Sequence, residues 1–102
     1  MKFRVIYHPE VFNDLKIAIE WYEAKKDGLG DKFLLTVRKQ LTSLQTSALH
    51  FAVKYDDVRC MPVKKFPYMV HFRVNQEEKT VKVEAVFNTW ISPTNWSERV
   101  KP

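Results

Sequence analysis

The chain has 102 residues with a single cysteine, 45% hydrophobic and 14% aromatic residues, and a net charge of +5 from 17 Lys and Arg against 12 Asp and Glu. That length makes one domain, 1–102, with apolar surface enough for a core, and the lone Cys60 excludes an internal disulfide framework and points to a reducing compartment. The charged start Met1-Lys2-Phe3-Arg4-Val5 lacks a signal peptide's apolar run, and no stretch reaches the roughly 18 apolar residues of a membrane span, so a cytoplasmic protein is expected, its positive surplus favouring polyanionic or acidic partners.

Phe3, Val5 and Tyr7 alternate with Arg4 and Ile6 in a short first strand that ends at His8-Pro9. Proline's fixed φ suits the opening of a helix. Val11, Leu15, Ala18 and Tyr22, widened by Phe12 and Ile19, form an apolar stripe over about Glu10 to Lys26. Asp27-Gly28-Leu29-Gly30 stops that helix, and Asp31 is the expected N-cap of a second one. Its stripe is Phe33 or Leu34, then Val37, Leu41 and Leu44, to about Gln45, and the short connection predicts an antiparallel helical hairpin. Glu20, Glu23, Lys25 and Lys26 read as a solvated helix face, with Trp21 and Tyr22 as core or helix-pair contacts.

Residues Ser47 to Tyr55 hold a loop and a short strand, and Asp56-Asp57 a turn. Val58 to Lys65 reads as a strand kinked near Pro62. From Tyr68 to Asn75 the alternation is clean: Tyr68, Val70, Phe72 and Val74 on one face, Met69, His71 and Arg73 on the other. Gln76-Glu77-Glu78 makes a hairpin loop. Val81, Val83, Ala85 and Phe87 then alternate with Lys82, Glu84 and Val86, and the tail from Asn88, with Trp90, Pro93 and Trp96, shows no period. The order β-α-α-β-β-β predicts an α+β fold, a helical pair on one face of an antiparallel strand meander with the other face open.

On that open face the alternation places His71, Arg73, Lys82 and Glu84, with Arg59 on the preceding strand and Lys64-Lys65 near its end. Arginine forks bind phosphate in pairs of hydrogen bonds, and histidine exchanges protons near neutral pH. Arg59, Arg73 and His71 are therefore the candidate catalytic residues for RNA, whose 2′-OH is its own nucleophile, and Lys64, Lys65 and Lys82 the candidate nucleic-acid contacts. On spacing alone an ordinary solvated sheet face stays open as the alternative. Three scattered histidines and one cysteine show no metal-ligand spacing, and neither a metal nor another cofactor is expected.

The chain resembles the RelE/ParE toxins of bacterial type II toxin–antitoxin modules. The resemblance runs through Tyr7-His8-Pro9, Asp14-Leu15, Ile19-Glu20-Trp21-Tyr22-Glu23, Gly28-Leu29-Gly30-Asp31-Lys32-Phe33, Arg59, Val63 to Val70 with its Phe66-Pro67-Tyr68, Val83 to Phe87, Pro93 and Trp96. It implies the β-α-α-β-β-β toxin fold and an antitoxin partner that wraps the basic face. It implies one of two activities: ribosome-dependent mRNA cleavage, as in RelE-like members, or poisoning of DNA gyrase, as in ParE-like ones. Arg59 matches the family arginine ahead of the Phe-Pro-Tyr strand, and Arg73 a second cation of RelE-like members. Where ParE-like relatives show His-x-Arg-x-x-Pro, this chain has Asn88-Thr89-Trp90-Ile91-Ser92-Pro93, so a titratable group and a cation are missing there. The resemblance leaves both activities open, and the count of cations favours an endoribonuclease slightly, with a gyrase inhibitor or an attenuated antitoxin-binding relative as alternatives.

Overall fold

The computed structural model describes residues 2–90 and Arg99. Strand β1 (Arg4–Tyr7) leads into helices α1 (Glu10–Lys25) and α2 (Leu29–Ser47). A 3-10 turn, Ala48–His50, precedes β2 (Val53–Tyr55), β3 (Val58–Pro62), β4 (Tyr68–Asn75) and β5 (Thr80–Asn88). The strands form one five-stranded sheet in the order β1-β5-β4-β3-β2. Strands β2 to β5 are an antiparallel meander, while β1 returns to pair parallel with β5, so the sheet is mixed rather than wholly antiparallel. Pro93 and Trp96 of the expected tail lie outside the described residues.

The helical hairpin is closed by an acid that the sequence places in solvent. Gly28 turns the chain at φ +85°, and α2 starts at Leu29, two residues ahead of the expected cap Asp31. A helix start leaves backbone N–H groups without partners. Glu23, on the last turn of α1, accepts from Gly28 N at 2.9 Å and from Gly30 N at 3.0 Å. The Glu23 side chain is exposed, as its spacing predicts, and it also serves as a cap between the two helices. Gly30 is needed for a different reason: a Cβ there would stand 2.7 Å from the Ile19 carbonyl oxygen. At the other end of α1, His8 Nδ1 accepts from Glu10 N at 3.0 Å, which fixes the proton of that ring on Nε2 when it is neutral.

Between the helices and the sheet lies the main core, built from Val11, Ala18, Phe33, Val37, Leu41 and Leu44 against Met61, Val70, Phe72, Val81, Val83 and Val86. The Phe66-Pro67-Tyr68 corner is part of it. Phe66 and Tyr68 point to the same side and, with Tyr22 and Phe33, make a ring cluster with centroids 4.9–5.2 Å apart for the Tyr22–Phe66, Phe33–Tyr68, Phe33–Phe66 and Tyr22–Phe33 pairs. Three of these pairs meet edge-on and Tyr22–Phe33 is stacked, and such pairs each add about 0.5–1.5 kcal/mol beyond burial. Tyr22 is a core residue, as its stripe predicts, whereas Trp21 is largely exposed beneath Lys25 Nζ, 4.3 Å from the ring.

The simple alternation of β5 fails at one point. The β4–β5 register runs His71↔Ala85 and then Phe72↔Val83, leaving Glu84 as an extra residue on β5. Such a bulge shifts the phase of the strand. Val86 therefore joins Val81 and Val83 under the helices, while Ala85 and Phe87 turn to the far side with Tyr55 and Met69.

The tight glycine contact gives a clear expectation. Gly30→Ala should lower stability by about 1–3 kcal/mol through overpacking against Ile19, seen as a lower denaturant midpoint at unchanged slope.

Candidate functional site

The far side of the sheet is not an open basic surface. His71, opposite Cys60 on β3 and Ala85 on β5, is fully buried at 0% exposure. Tyr55 Oη shares a hydrogen bond of 3.0 Å with His71 Nδ1, and Cys60 Sγ lies 3.4 Å from the same nitrogen. The Phe87 ring packs edge-on with a centroid distance of 5.4 Å. Burial is the main reason that the His71 pKa falls from 6.5 to about 4, with Asp14 opposing the shift. Burial likewise pushes the Cys60 thiol up to about 11 and raises the Tyr55 hydroxyl, so both remain protonated donors beside a neutral imidazole. A ring so enclosed has no contact with a surface-bound substrate.

Arg73 is on the same side, but its charge is offset. Its Nε is 2.8 Å from Asp57 Oδ1 and its Nη1 3.5 Å from Glu84 Oε2. Glu84, the bulged residue, is only 2% exposed, and its other oxygen lies 3.5 Å from Lys82 Nζ. Sequence alternation places Glu84 correctly on this face, but not its burial between two cations. Lys82 is exposed and faces that carboxylate.

Arg59 is elsewhere. It pairs across the ladder with Phe72, a helix-facing residue, and directly opposed residues share a face. Its Nη1 donates to the Phe51 carbonyl at 2.6 Å. The sheet therefore separates Arg59 from His71 and Arg73, and the shared basic surface expected of these residues does not form.

A second network was not visible in the sequence. β1 ends at Tyr7 opposite Val83, and among the described residues no strand pairs with β5 on that edge beyond it. Asp14 of α1 takes over, its Oδ2 accepting from Val86 N at 3.1 Å. Arg99 grips the same carboxylate with both ends of its fork, at 2.8 and 2.9 Å, and lies over the Phe87 ring at 4.9 Å. Asp14 stands out in the sequence only as part of the family resemblance, and Arg99 not at all.

Lys64 and Lys65 sit on the connection from β3 to β4, both exposed. With Lys39 they rim a groove of about 440 Å³ whose wall is Thr36, Gln40 and Ser43 of α2 and whose floor is Phe51 and Met61. Among the described residues none of those lining this groove is acidic. Among the described residues no group of three His, Cys, Asp or Glu is placed to hold a metal ion, and no helix is long and apolar enough to cross a membrane.

Comparison with known proteins follows the same lines. The family described as "ParE toxin of type II toxin-antitoxin system, parDE" matches residues 5–89. No curated protein matches the sequence. Among solved structures, a chromosomal ParDE toxin–antitoxin system from P. aeruginosa superposes with a TM-score of 0.71 at 18% identity, covering 85% of this chain and 96% of that one. An arginine-substituted mutant of E. coli toxin RelE in the free state gives a TM-score of 0.69 at 13% identity, covering 99% and 100%. The same mutant in complex with a peptide of antitoxin RelB gives 0.63 at 15%, covering 99% and 97%.

His71 makes a pH prediction with a definite sign. Its folded pKa of about 4 lies below the ordinary 6.5, so between those values the unfolded chain binds more protons. The stability from neutral His71 is complete above about pH 6.5 and is lost as pH falls towards 4, by about 3 kcal/mol in all. The stability difference between the parent and His71→Asn should therefore narrow from pH 7.5 to pH 4.5 in urea melts. A constant difference would show that the imidazole does not titrate with folding.

Proposed function

Given that this chain belongs to the ParE toxin family and is the toxin of a type II toxin–antitoxin module, we propose that it acts in the cytoplasm by binding DNA gyrase, the target that ParE resemblance implies, and not by cutting RNA. The carrying observation is the division of the acid–base candidates. Arg59 lies on the helix side of the sheet, tied to a backbone carbonyl, while His71 is sealed beneath Tyr55 and Phe87. Arg73 is held by Asp57 and Glu84. A general acid or base must reach the proton it moves, and a phosphate clamp needs cations that converge on one site. Neither requirement is met by these three side chains. Asn88 and Trp90, which stand where ParE-like relatives have histidine and arginine, supply no replacement proton carrier or phosphate clamp, which weighs against RNA cleavage and is neutral on gyrase. The buried free thiol of Cys60 fits a reducing cytoplasm.

The mRNA-cleaving reading keeps one observation in its favour, the cluster of Lys39, Lys64 and Lys65 around a groove with no acid among its described lining residues. Both readings meet in one pair of assays. Toxin freed of its antitoxin should inhibit gyrase supercoiling and, on induction, give an SOS response with filamentous cells, while mRNA on translating ribosomes stays intact. Rapid mRNA cleavage with unaffected gyrase would overturn the proposal. His71→Asn should keep gyrase inhibition in the fraction that folds. A nuclease using His71 as proton carrier would instead lose roughly 10²–10⁴ in rate.

A further inference from the structure

We infer that the groove between α2 and the β3–β4 connection is the docking site for an acidic, amphipathic segment of the cognate antitoxin. This rests on membership of a toxin–antitoxin family, not on the gyrase target, so failure of the gyrase assays leaves it standing.

Three features of the groove select such an occupant. The first is charge. Lys39, Lys64 and Lys65 stand on its rim with no carboxylate among the described lining residues, whereas Arg73 and Lys82 on the far face are already matched by Asp57 and Glu84. A partner's carboxylates thus find the groove's cations uncommitted, which steers association and fixes orientation. The second is the floor, formed by Phe51 and Met61. A thioether and a ring ask for an apolar side chain, which a phosphate–sugar backbone does not supply. The cations are all lysines, point charges without the fork that reads phosphate in pairs.

The third is the state of the wall. Thr36, Gln40 and Ser43 look polar, yet each already donates a hydrogen bond within the protein. Thr36 Oγ1 donates to the Lys32 carbonyl at 2.9 Å and Ser43 Oγ to the Gln40 carbonyl at 2.6 Å. The Gln40 amide donates to the Pro62 carbonyl at 2.9 Å and accepts from Lys64 N at 2.8 Å. The wall therefore offers carbon and few free hydroxyl donors. Gln40 also fastens the lysine-bearing connection to α2, so the groove is preformed and little ordering is left to pay on binding. An extended or helical segment with an apolar residue inward and carboxylates flanking it meets floor and rim together.

The test uses the antitoxin purified as its complex with this toxin, separated and titrated back. Lys39→Glu/Lys64→Glu should weaken antitoxin binding by roughly tenfold or more, mainly by slowing association, and should flatten the salt dependence. Lys16→Glu/Lys26→Glu, with the same charge change on and just after α1, should leave affinity within about twofold of the parent. In the unmodified complex, amides of residues 36–43 and 61–65 should gain protection from hydrogen exchange. Unchanged affinity in the groove variant, or no added protection there, overturns the inference. So does a groove variant that binds antitoxin normally but loses an RNA oligonucleotide, since the site would then belong to nucleic acid.

Discussion

β5 carries one residue more than β4 between Val83 and Ala85, and the character of the far face follows from that bulge. A strand that alternated without interruption would put Val86 in solvent and Ala85 and Phe87 under the helices. With Glu84 inserted, Val86 closes the main core, and Ala85 and Phe87 join Tyr55 and Met69 in a second cluster beyond the sheet. β4 is then covered on both sides at its centre, where Val70, His71 and Phe72 are all buried. A strand buried on both faces leaves no room for an exposed histidine, so enclosure of His71 is a consequence of how β5 is built.

The bulge needs support, because it falls where β1 has already ended. Backbone N–H groups left unpaired near a core cost roughly 1–3 kcal/mol each. Asp14 meets that cost at Val86, and Arg99 in turn balances the charge of Asp14. Removing one partner of such a nearly enclosed pair leaves the other charge stranded, which is the expensive case. The carboxylates of Asp14 and Glu84 thus hold the strand end in place while drawing Arg99, Arg73 and Lys82 onto it. A face organised in this way is a structural joint.

This explains what was legible in the sequence. Periodicity gave both helices, and it placed β4 at Tyr68–Asn75 with the observed bounds, because apolar spacing reports burial directly. It could not report a single inserted residue, since Glu84 occupies a polar position in either register. The hairpin cap was hidden for a related reason. Glu23 has the spacing of a surface residue, and only the return of α2 brings Gly28 and Gly30 to it. The parallel pairing of β1 with β5 depends on contacts between residues far apart in the chain. Of the six candidate site residues, Lys64 and Lys65 lie in an open groove, but the companion that makes the groove basic, Lys39, sits on the polar side of α2 and looks like any solvated lysine.

The net charge of +5 therefore has a location that composition cannot assign. On the far face positive and negative groups alternate at short range, and their fields largely cancel beyond a Debye length of about 8 Å. At the α2 groove the lysines stand together on two elements that are rigidly joined. Gln40 links them through Pro62 and Lys64, and the ring cluster of Phe66 and Tyr68 with Tyr22 and Phe33 anchors the connection just after the lysines. Among the described residues the ion pairs gather at the strand end, while Lys39, Lys64 and Lys65 stand together on a connection that Gln40 fastens to α2. A fixed array of like charges over an apolar floor repels itself in the free protein. That repulsion is relieved only when an opposite charge arrives, which is the condition under which a surface favours being covered.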